Sequence, residues 1–205
     1  MKKFLILPIC VTLTLIFLTG CTNVNDNSSI KTVPTPTDLP SAETVLKGFK
    51  PSTTNRTVTL ETTKGNITIE LYNETMPITA GNFEKLVTEK FFDEVIFHRV
   101  IPAFMIQGGD PTGTGTGGPG YQIPDENVGK YSNVIGSISM ANSGPNTGGS
   151  QFFINVADNS YLDTKHPVFG KVTEGMDVVN AITSVEKDAN DKPTTAVTIT
   201  KAYLN

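Results

Sequence analysis

Between Phe97 and Asp110 the chain reads FHRVIPAFMIQGGD, setting a guanidinium, an imidazole and an amide among large apolar side chains. Phe97, Arg99, Phe104 and Gln107 interrupt the alternation of a half-buried strand around Pro102. A second polar group lies downstream, where Asn142, Gln151 and His166 accompany Phe153, Tyr161 and Leu162. The types present are not those of bond cleavage. Ser150, Asp163 and His166 could in principle form a nucleophilic set, but Gly148-Gly149-Ser150-Gln151 lacks the nucleophile elbow and leads into a strand. Arg99, Gln107, Asn142, Gln151 and His166 with Phe104, Met105, Phe153, Tyr161 and Leu162 are instead binding residues. Apolar walls with a few convergent hydrogen-bonding groups suit a ring joined to a polar backbone, and a proline within a peptide fits that description.

Other chemistries are excluded by count or context. His98 and His166 are the only histidines and Cys10 and Cys21 the only cysteines, too few for a zinc set without carboxylates. Asp188, Asn190 and Asp191 lack the central glycine and closing glutamate of an EF-hand, since the last position falls on Ile199. No metal and no cofactor is expected. The run Gly113-Thr114-Gly115-Thr116-Gly117-Gly118 is followed by Pro119, Gly120 and Pro124 where an anion-binding helix should start, so it is read as a loop at a sheet edge.

The elements that must carry these residues follow from periodicity. Val58 and Leu60, then Ile67, Ile69 and Leu71, alternate with polar residues on either side of Lys64-Gly65, which predicts a hairpin over Thr57–Thr62 and Asn66–Tyr72. Pro77 opens a helix that carries Ile78, Phe83, Leu86 and Val87 to about Thr88, with Gly81 weakening it. Strands are predicted in the Phe97–Asp110 stretch, near Val134–Met140, Gln151–Val156 and Val168–Val172, and at Val197 and Ile199. A second helix, capped by Thr173, carries Met176, Val179 and Ile182. Many short strands with two helices argue a mainly β fold, an antiparallel sheet closed or nearly closed on itself.

Ahead of this domain the composition changes twice. Lys2 and Lys3 precede an apolar run from Phe4 to Leu18, which is the layout of a secretory signal and shorter than the roughly twenty residues of a spanning helix. Leu18-Thr19-Gly20-Cys21 resembles the lipobox of bacterial lipoproteins, implying removal of residues 1–20 and acylation of Cys21. Residues 21–54, rich in Asn, Ser, Thr, Pro and Asp, are expected to be a disordered tether with a random-coil reach of about 30 Å. The folded domain is placed at 55–205. Without residues 1–20 the chain keeps 14 basic residues against 20 acidic ones, a net charge of −6 that disfavours nucleic acid as a partner. Cys21 alone can form no intramolecular disulfide, so the core must supply the stability.

Several segments together resemble one family. Phe97–Asp110, Ser139-Met140-Ala141-Asn142, Gly144-Pro145-Asn146-Thr147, Gly149-Ser150-Gln151-Phe152-Phe153-Ile154 and His166–Val172 are similar, in order, to the cyclophilin peptidyl-prolyl cis-trans isomerases, and the likeness covers Arg56–Asn205. The resemblance implies an eight-stranded antiparallel barrel with a helix over each open end. It implies Arg99 as the catalytic residue, and Phe104, Met105, Phe153 and Leu162 as walls of the proline pocket. Gln107, Ala141, Asn142, Gln151 and His166 are implied to line the groove and hold substrate backbone, with His98 near the site. Tyr161 stands where many members place Trp, so the likeness does not extend to tight cyclosporin binding. Combined with the lipobox, it implies a monomeric isomerase lipid-anchored at the outer face of a bacterial cell membrane, acting on proline-containing exported polypeptides. The alternative is a module that binds proline segments as a chaperone or scaffold without turnover.

Overall fold

The hairpin forms as β1 (Arg56–Thr62) and β2 (Gly65–Leu71), with Thr62 opposite Gly65 and a two-residue turn between them. Ile67, Ile69 and Leu71 are fully buried and alternate with half-buried or exposed neighbours, as a strand with one core face requires. The computed structural model describes Thr44 and residues 46–205. The expected signal peptide, Cys21 and the tether up to residue 43 lie outside the described residues.

After β2 comes α1 (Pro77–Thr88), then β3 (Val95–Ile96), β4 (Arg99–Ile101), β5 (Met105–Gly108), β6 (Ser137–Met140) and β7 (Phe152–Asn155). A short 3₁₀ turn at Ser160–Leu162, β8 (Val168–Glu174), α2 (Met176–Thr183) and β9 (Thr198–Leu204) complete the domain. The strands form one antiparallel sheet in the order β3-β9-β1-β2-β8-β6-β7-β5-β4. Its two edges, β3 and β4, are separated in sequence only by Phe97-His98, so the chain itself joins one edge to the other and closes the barrel. The count of nine strands against the expected eight has this cause: one run, Val95–Ile101, bends at Phe97-His98 and pairs with β9 before the bend and β5 after it.

Cross-strand register sorts the residues between two faces. Val100, Ile106, Ile154 and Ile138 stand opposite one another on β4, β5, β7 and β6 and are all fully buried in the barrel interior. Their neighbours Arg99, Gln107, Phe153 and Ser139 form the adjacent row, which a two-residue period places on the outer face. The interior is closed by aromatic packing: Phe83 of α1 lies 4.8 Å from Phe92 and 5.3 Å from both Phe152 and Phe169, ring centre to ring centre. α1 follows the Leu71 end of β2, while α2 sits over its Gly65 end, where a Cβ on Gly65 would stand 2.8 Å from Val178. Each helix thus covers one mouth of the barrel.

The helix termini are satisfied from a distance. Glu126 accepts from the Ile78 and Thr79 amides at 3.0 and 2.8 Å, using a carboxylate to meet the free N–H groups that Pro77 leaves at the start of α1. Thr173 does not cap α2. It remains in β8, its hydroxyl donating to the Thr68 carbonyl, and the chain enters the helix through Gly175 at φ 88°. No helix among the described residues is long and apolar enough to cross a membrane.

Candidate functional site

Arg99 heads the outer row. Its side chain is exposed and forms no ion pair or hydrogen bond among the described residues, where the ion pairs are Lys85–Glu89 and Lys171–Glu70. Directly opposite it on β5 is Gln107, and opposite Gln107 on β7 is Phe153, so Arg99 and Phe153 lie two strand spacings apart, about 10 Å. Gln107 donates through Nε2 to Gln151 Oε1 at 2.9 Å. Gln151 in turn donates through its own Nε2 to the Gly115 and Gly117 carbonyls at 3.0 and 2.9 Å. A groove of about 800 Å³ opens beside this chain of amides, lined by Gln107, Ala141, Asn142 and Gln151 together with Tyr121 and the Gly115–Gly120 loop.

The apolar half of the site stands next to it. Met105 and Phe153 are 2% and 5% exposed although their register puts them on the outer face, and the segment from Val156 to His166 returns beside them, bonded to Phe104 and bringing His166 against Phe153. That segment is tied down at Phe104, whose carbonyl accepts from Val156 N and from Asn159 Nδ2. Phe104 and Leu162 are half-buried, and Tyr161 is 67% exposed. His166 meets Phe153 edge to face at 5.4 Å between ring centres. Its Nδ1 lies 3.1 Å from the Met140 carbonyl, an acceptor, so Nδ1 carries the proton and Nε2 is left free to accept from a ligand. Asn142 bridges the two halves by donating to the Lys165 carbonyl at 2.8 Å.

Of the residues expected from sequence, Gln107, Ala141, Asn142 and Gln151 line the groove. Arg99, Phe104, Met105, Phe153, Leu162, Tyr161 and His166 lie outside its lining, with Arg99, Met105 and Phe153 on the same outer face and His166 in contact through Phe153. His98 lies near the groove, behind its Gly115 wall. It sits at the barrel seam, 6% exposed, with neither ring nitrogen hydrogen-bonded, and Gly115 lies over the ring edge. Burial pulls its pKa below the usual histidine value, against the upward pull of nearby Asp110, with Lys192 and Arg99 adding to the depression.

Two features of the site had no clear sequence signal. The first is the Gly-rich loop, which is a groove wall organised by a carboxylate. Asp110, 1% exposed, accepts from the amides of Thr112, Thr114, Gly115 and Gly117 at 2.7, 3.1, 2.6 and 3.1 Å, and from the Thr112 hydroxyl at 2.8 Å. Burial alone would raise the Asp110 pKa, but the bonds from Thr112, Gly117 and Gly115 outweigh it and hold the carboxyl far below the usual carboxylate range. The alternation Thr-Gly-Thr-Gly after an Asp is the pattern that could have indicated a chain wrapping its own side chain.

The second is a polar floor beneath the apolar pocket. Asn133, fully buried, donates from its amide to Asp163 Oδ1 at 2.7 Å and from Nδ2 to Asp163 and the His166 carbonyl. Its Oδ1 accepts from Ser139 and Asn155, and its carbonyl accepts from Asn159 N. Every polar group of Asn133 is therefore matched, and the segment bearing Tyr161, Leu162 and His166 is fastened to the sheet. Tyr121 closes the far side, its hydroxyl donating to Asn82 Oδ1 at 2.6 Å, with burial first and Glu89 second pushing its pKa up to about 12.

Comparison with known proteins agrees with this geometry. Residues 57–204 match the family described as cyclophilin type peptidyl-prolyl cis-trans isomerase/CLD. The chain belongs to the cyclophilin-type peptidyl-prolyl isomerases. Among curated relatives, the peptidyl-prolyl cis-trans isomerase-like 1 of Neurospora crassa is 48% identical over 151 residues, covering 72% of this chain and 93% of the relative. The peptidyl-prolyl cis-trans isomerase ppi1 of Schizosaccharomyces pombe is 48% identical over 149 residues, covering 71% and 96%. Among solved structures, a cyclophilin type isomerase of Cryptosporidium parvum superimposes with a TM-score of 0.71 at 34% identity, covering 74% of this chain and 98% of that one. The same protein in the presence of the dipeptide Ala-Pro gives 0.71 at 33% identity, covering 73% and 99%. This cyclophilin is an enzyme of X-Pro bond isomerisation acting on proline-containing polypeptides.

Proposed function

We propose that Arg99 is the catalytic residue of this cyclophilin and that the apolar half of its site takes the prolyl ring while the amide-lined groove holds the preceding residues. An X-Pro bond resists rotation by about 18–20 kcal/mol because the nitrogen lone pair is shared with the carbonyl. In the twisted state that lone pair returns to the prolyl nitrogen. A guanidinium directed there stabilises the twisted state more than either planar one, and it stays charged at any working pH. No proton is transferred and no bond is broken. Phe104, Met105, Phe153 and Leu162 hold the ring, and Gln107, Ala141, Asn142, Gln151 and His166 Nε2 hold substrate backbone while the carbonyl swings.

The observation that carries this reading is the unspent, exposed guanidinium of Arg99 in register with Gln107 and Phe153. Tyr161 borders the site at the rim, and His98 acts behind Arg99 as part of the barrel seam. Backbone amide shifts on titrating a proline peptide test the assignment. They should move at Arg99, Gln107, Ala141, Asn142, Phe153 and His166, and movement confined to other faces would contradict it.

The setting is part of the same proposal. A lipid on Cys21, with residues 1–20 removed as a signal, would fix the enzyme to the outer face of a bacterial cell membrane, where exported polypeptides pass. Two or more acyl chains hold stably because each buried CH₂ contributes about 0.8 kcal/mol. The barrel acts as a monomer, since its closure leaves no long free strand edge to pair with a second copy. Cys21→Ser should move the protein from the membrane fraction to the soluble one or arrest its processing, and unchanged partitioning would contradict the anchor.

A further inference from the structure

We propose that His98 is a positioning residue of this cyclophilin: its neutral imidazole supports the Gly115–Gly117 wall of the groove from behind, and protonating it releases that wall and weakens the hold on the peptide. The inference rests on the reading of the groove given above and names a condition under which the groove lets go.

The loop closes over the barrel seam at two glycines. A Cβ built on Gly113 would stand 2.9 Å from Ile96 Cδ1, and one built on Gly115 would stand 3.7 Å from His98 Cδ2 and 3.8 Å from its Nε2. Both glycines have positive φ, 63° and 86°, and through them the chain turns onto the two residues that flank Phe97. Lys192 Nζ donates to the Gly113 carbonyl at 2.9 Å and ties the loop from the other side. Within the loop, Asp110 accepts from the Thr112, Thr114, Gly115 and Gly117 amides. Asp110 and His98 are thus the buried supports of the wall, and His98 is the one that titrates closer to neutral pH.

The charged groups that face His98 are Asp110, Lys192 and Arg99. The ring is 6% exposed and neither nitrogen is hydrogen-bonded within the protein, so an imidazolium there presents two N–H donors without a free acceptor. Asp110 is the one anion of the three, and its oxygens already accept from four amides and two hydroxyls. Satisfying the cation means drawing Asp110 away from the loop or turning the ring out to water past Gly115. Both routes displace Gly115. At neutral pH burial, outweighing Asp110 and aided by Lys192 and Arg99, keeps the ring uncharged and the wall closed.

What moves with Gly115 is the surface that holds peptide. The Gly115 and Gly117 carbonyls accept from Gln151 Nε2, and Gln151 Oε1 accepts from Gln107 Nε2. Arg99 stands opposite Gln107 and keeps its charge throughout, so acid should weaken binding and spare the rotation step. Peptide binds the closed, neutral form, and each binding event in acid therefore expels one proton. By linkage KM rises at most about tenfold per pH unit below the His98 midpoint of the free enzyme. That midpoint lies below the ordinary histidine value, so the rise belongs below about pH 6.5.

The test takes two readings on the full chain. Without peptide, the Gly115 and Gly117 amide resonances should titrate with the His98 ring between about pH 7.5 and pH 5. With an Ala-Pro peptide, KM should rise about five- to tenfold over that range while kcat changes less than about twofold, and in His98→Gln KM should change less than about twofold. Lys192→Gln removes a cation that faces the ring and should move the midpoint to higher pH, whereas Lys192→Arg should not. The inference is overturned if His98 stays neutral down to about pH 5, or if it titrates while the two amides stay still. A KM rise that persists in His98→Gln also overturns it and assigns the effect to His166, the other histidine. If the amides titrate but KM stays flat, the inference falls as well, and peptide-induced shifts at Gln107 and Gln151 at neutral pH then decide whether the reading of the groove falls with it.

Discussion

Replacing Asp110 removes the group around which the groove wall is built. Its two oxygens gather four backbone amides and two hydroxyls between Thr112 and Gly117. A buried hydrogen bond to a charged group contributes about 1.5–3 kcal/mol, but Thr112, Thr114 and Gly115 are exposed and water can replace most of what they lose. Counting the half-buried Gly117 bond in full and the others at a fraction gives about 2–4 kcal/mol for Asp110→Ala. Asp110→Asn is the sharper test. It preserves shape, yet turns an NH₂ toward amide donors whichever way it is rotated, so it should cost about 2–3 kcal/mol and lower Tm by roughly 5–10 °C. The loop carbonyls of Gly115 and Gly117 orient Gln151, and Gln151 orients Gln107, so kcat/KM for a proline peptide should fall about tenfold through KM. Gly117→Ala should reproduce both defects, since its Cβ would collide with Asp110 Oδ1. Thermal unfolding and a coupled peptide assay read the two effects. An Asp110→Asn variant with unchanged Tm and kcat/KM would refute the view that the carboxylate organises the wall.

His98 should make stability depend on pH. Its folded pKa is depressed, so the unfolded chain binds the proton first. Stability is full above the unfolded value near 6.5 and is lost as pH falls through the folded value. His98→Gln should flatten that limb of a denaturation series run downward from pH 7, and an unaltered slope would contradict it. Asp110, with its pKa depressed as well, contributes in the same direction but only below about pH 4, which separates the two. Asn133→Ala leaves Ser139, Asn155 and Asp163 short of partners in a buried site and should cost about 2–5 kcal/mol by urea unfolding. It should also raise KM by loosening the segment that carries Leu162 and His166.

The hairpin, α1 and the strand positions were legible because each rests on local periodicity: Ile67, Ile69 and Leu71 alternate, and Phe83, Leu86 and Val87 share a helical face. The bend at Phe97-His98 was not, since nothing local distinguishes one seven-residue strand from two short ones pairing with different partners. The cap of α2 was misplaced for a related reason. Thr173 has the right side chain, but β8 continues through Glu174 and the left-handed turn falls on Gly175. The groove residues Gln107, Asn142 and Gln151 were identifiable as polar groups beside apolar ones, and Ala141 came from the family resemblance alone. The supports behind them were not. Asn133 is a lone Asn in a loop, and Asp110 looks like an ordinary turn residue until Gly115 and Gly117 are seen folded onto it.

The most direct test of the account is the catalysed cis-to-trans rate of a short proline peptide with Arg99→Ala, alongside a titration that measures peptide affinity. Removing one preorganised donor from a site of charge development costs about 10²–10³ in rate. The account predicts a fall of that size in kcat, with peptide affinity changed less than tenfold and Tm unchanged, because the Arg99 side chain is exposed and makes no hydrogen bond or ion pair among the described residues. An Arg99→Ala variant as fast as the parent would contradict it.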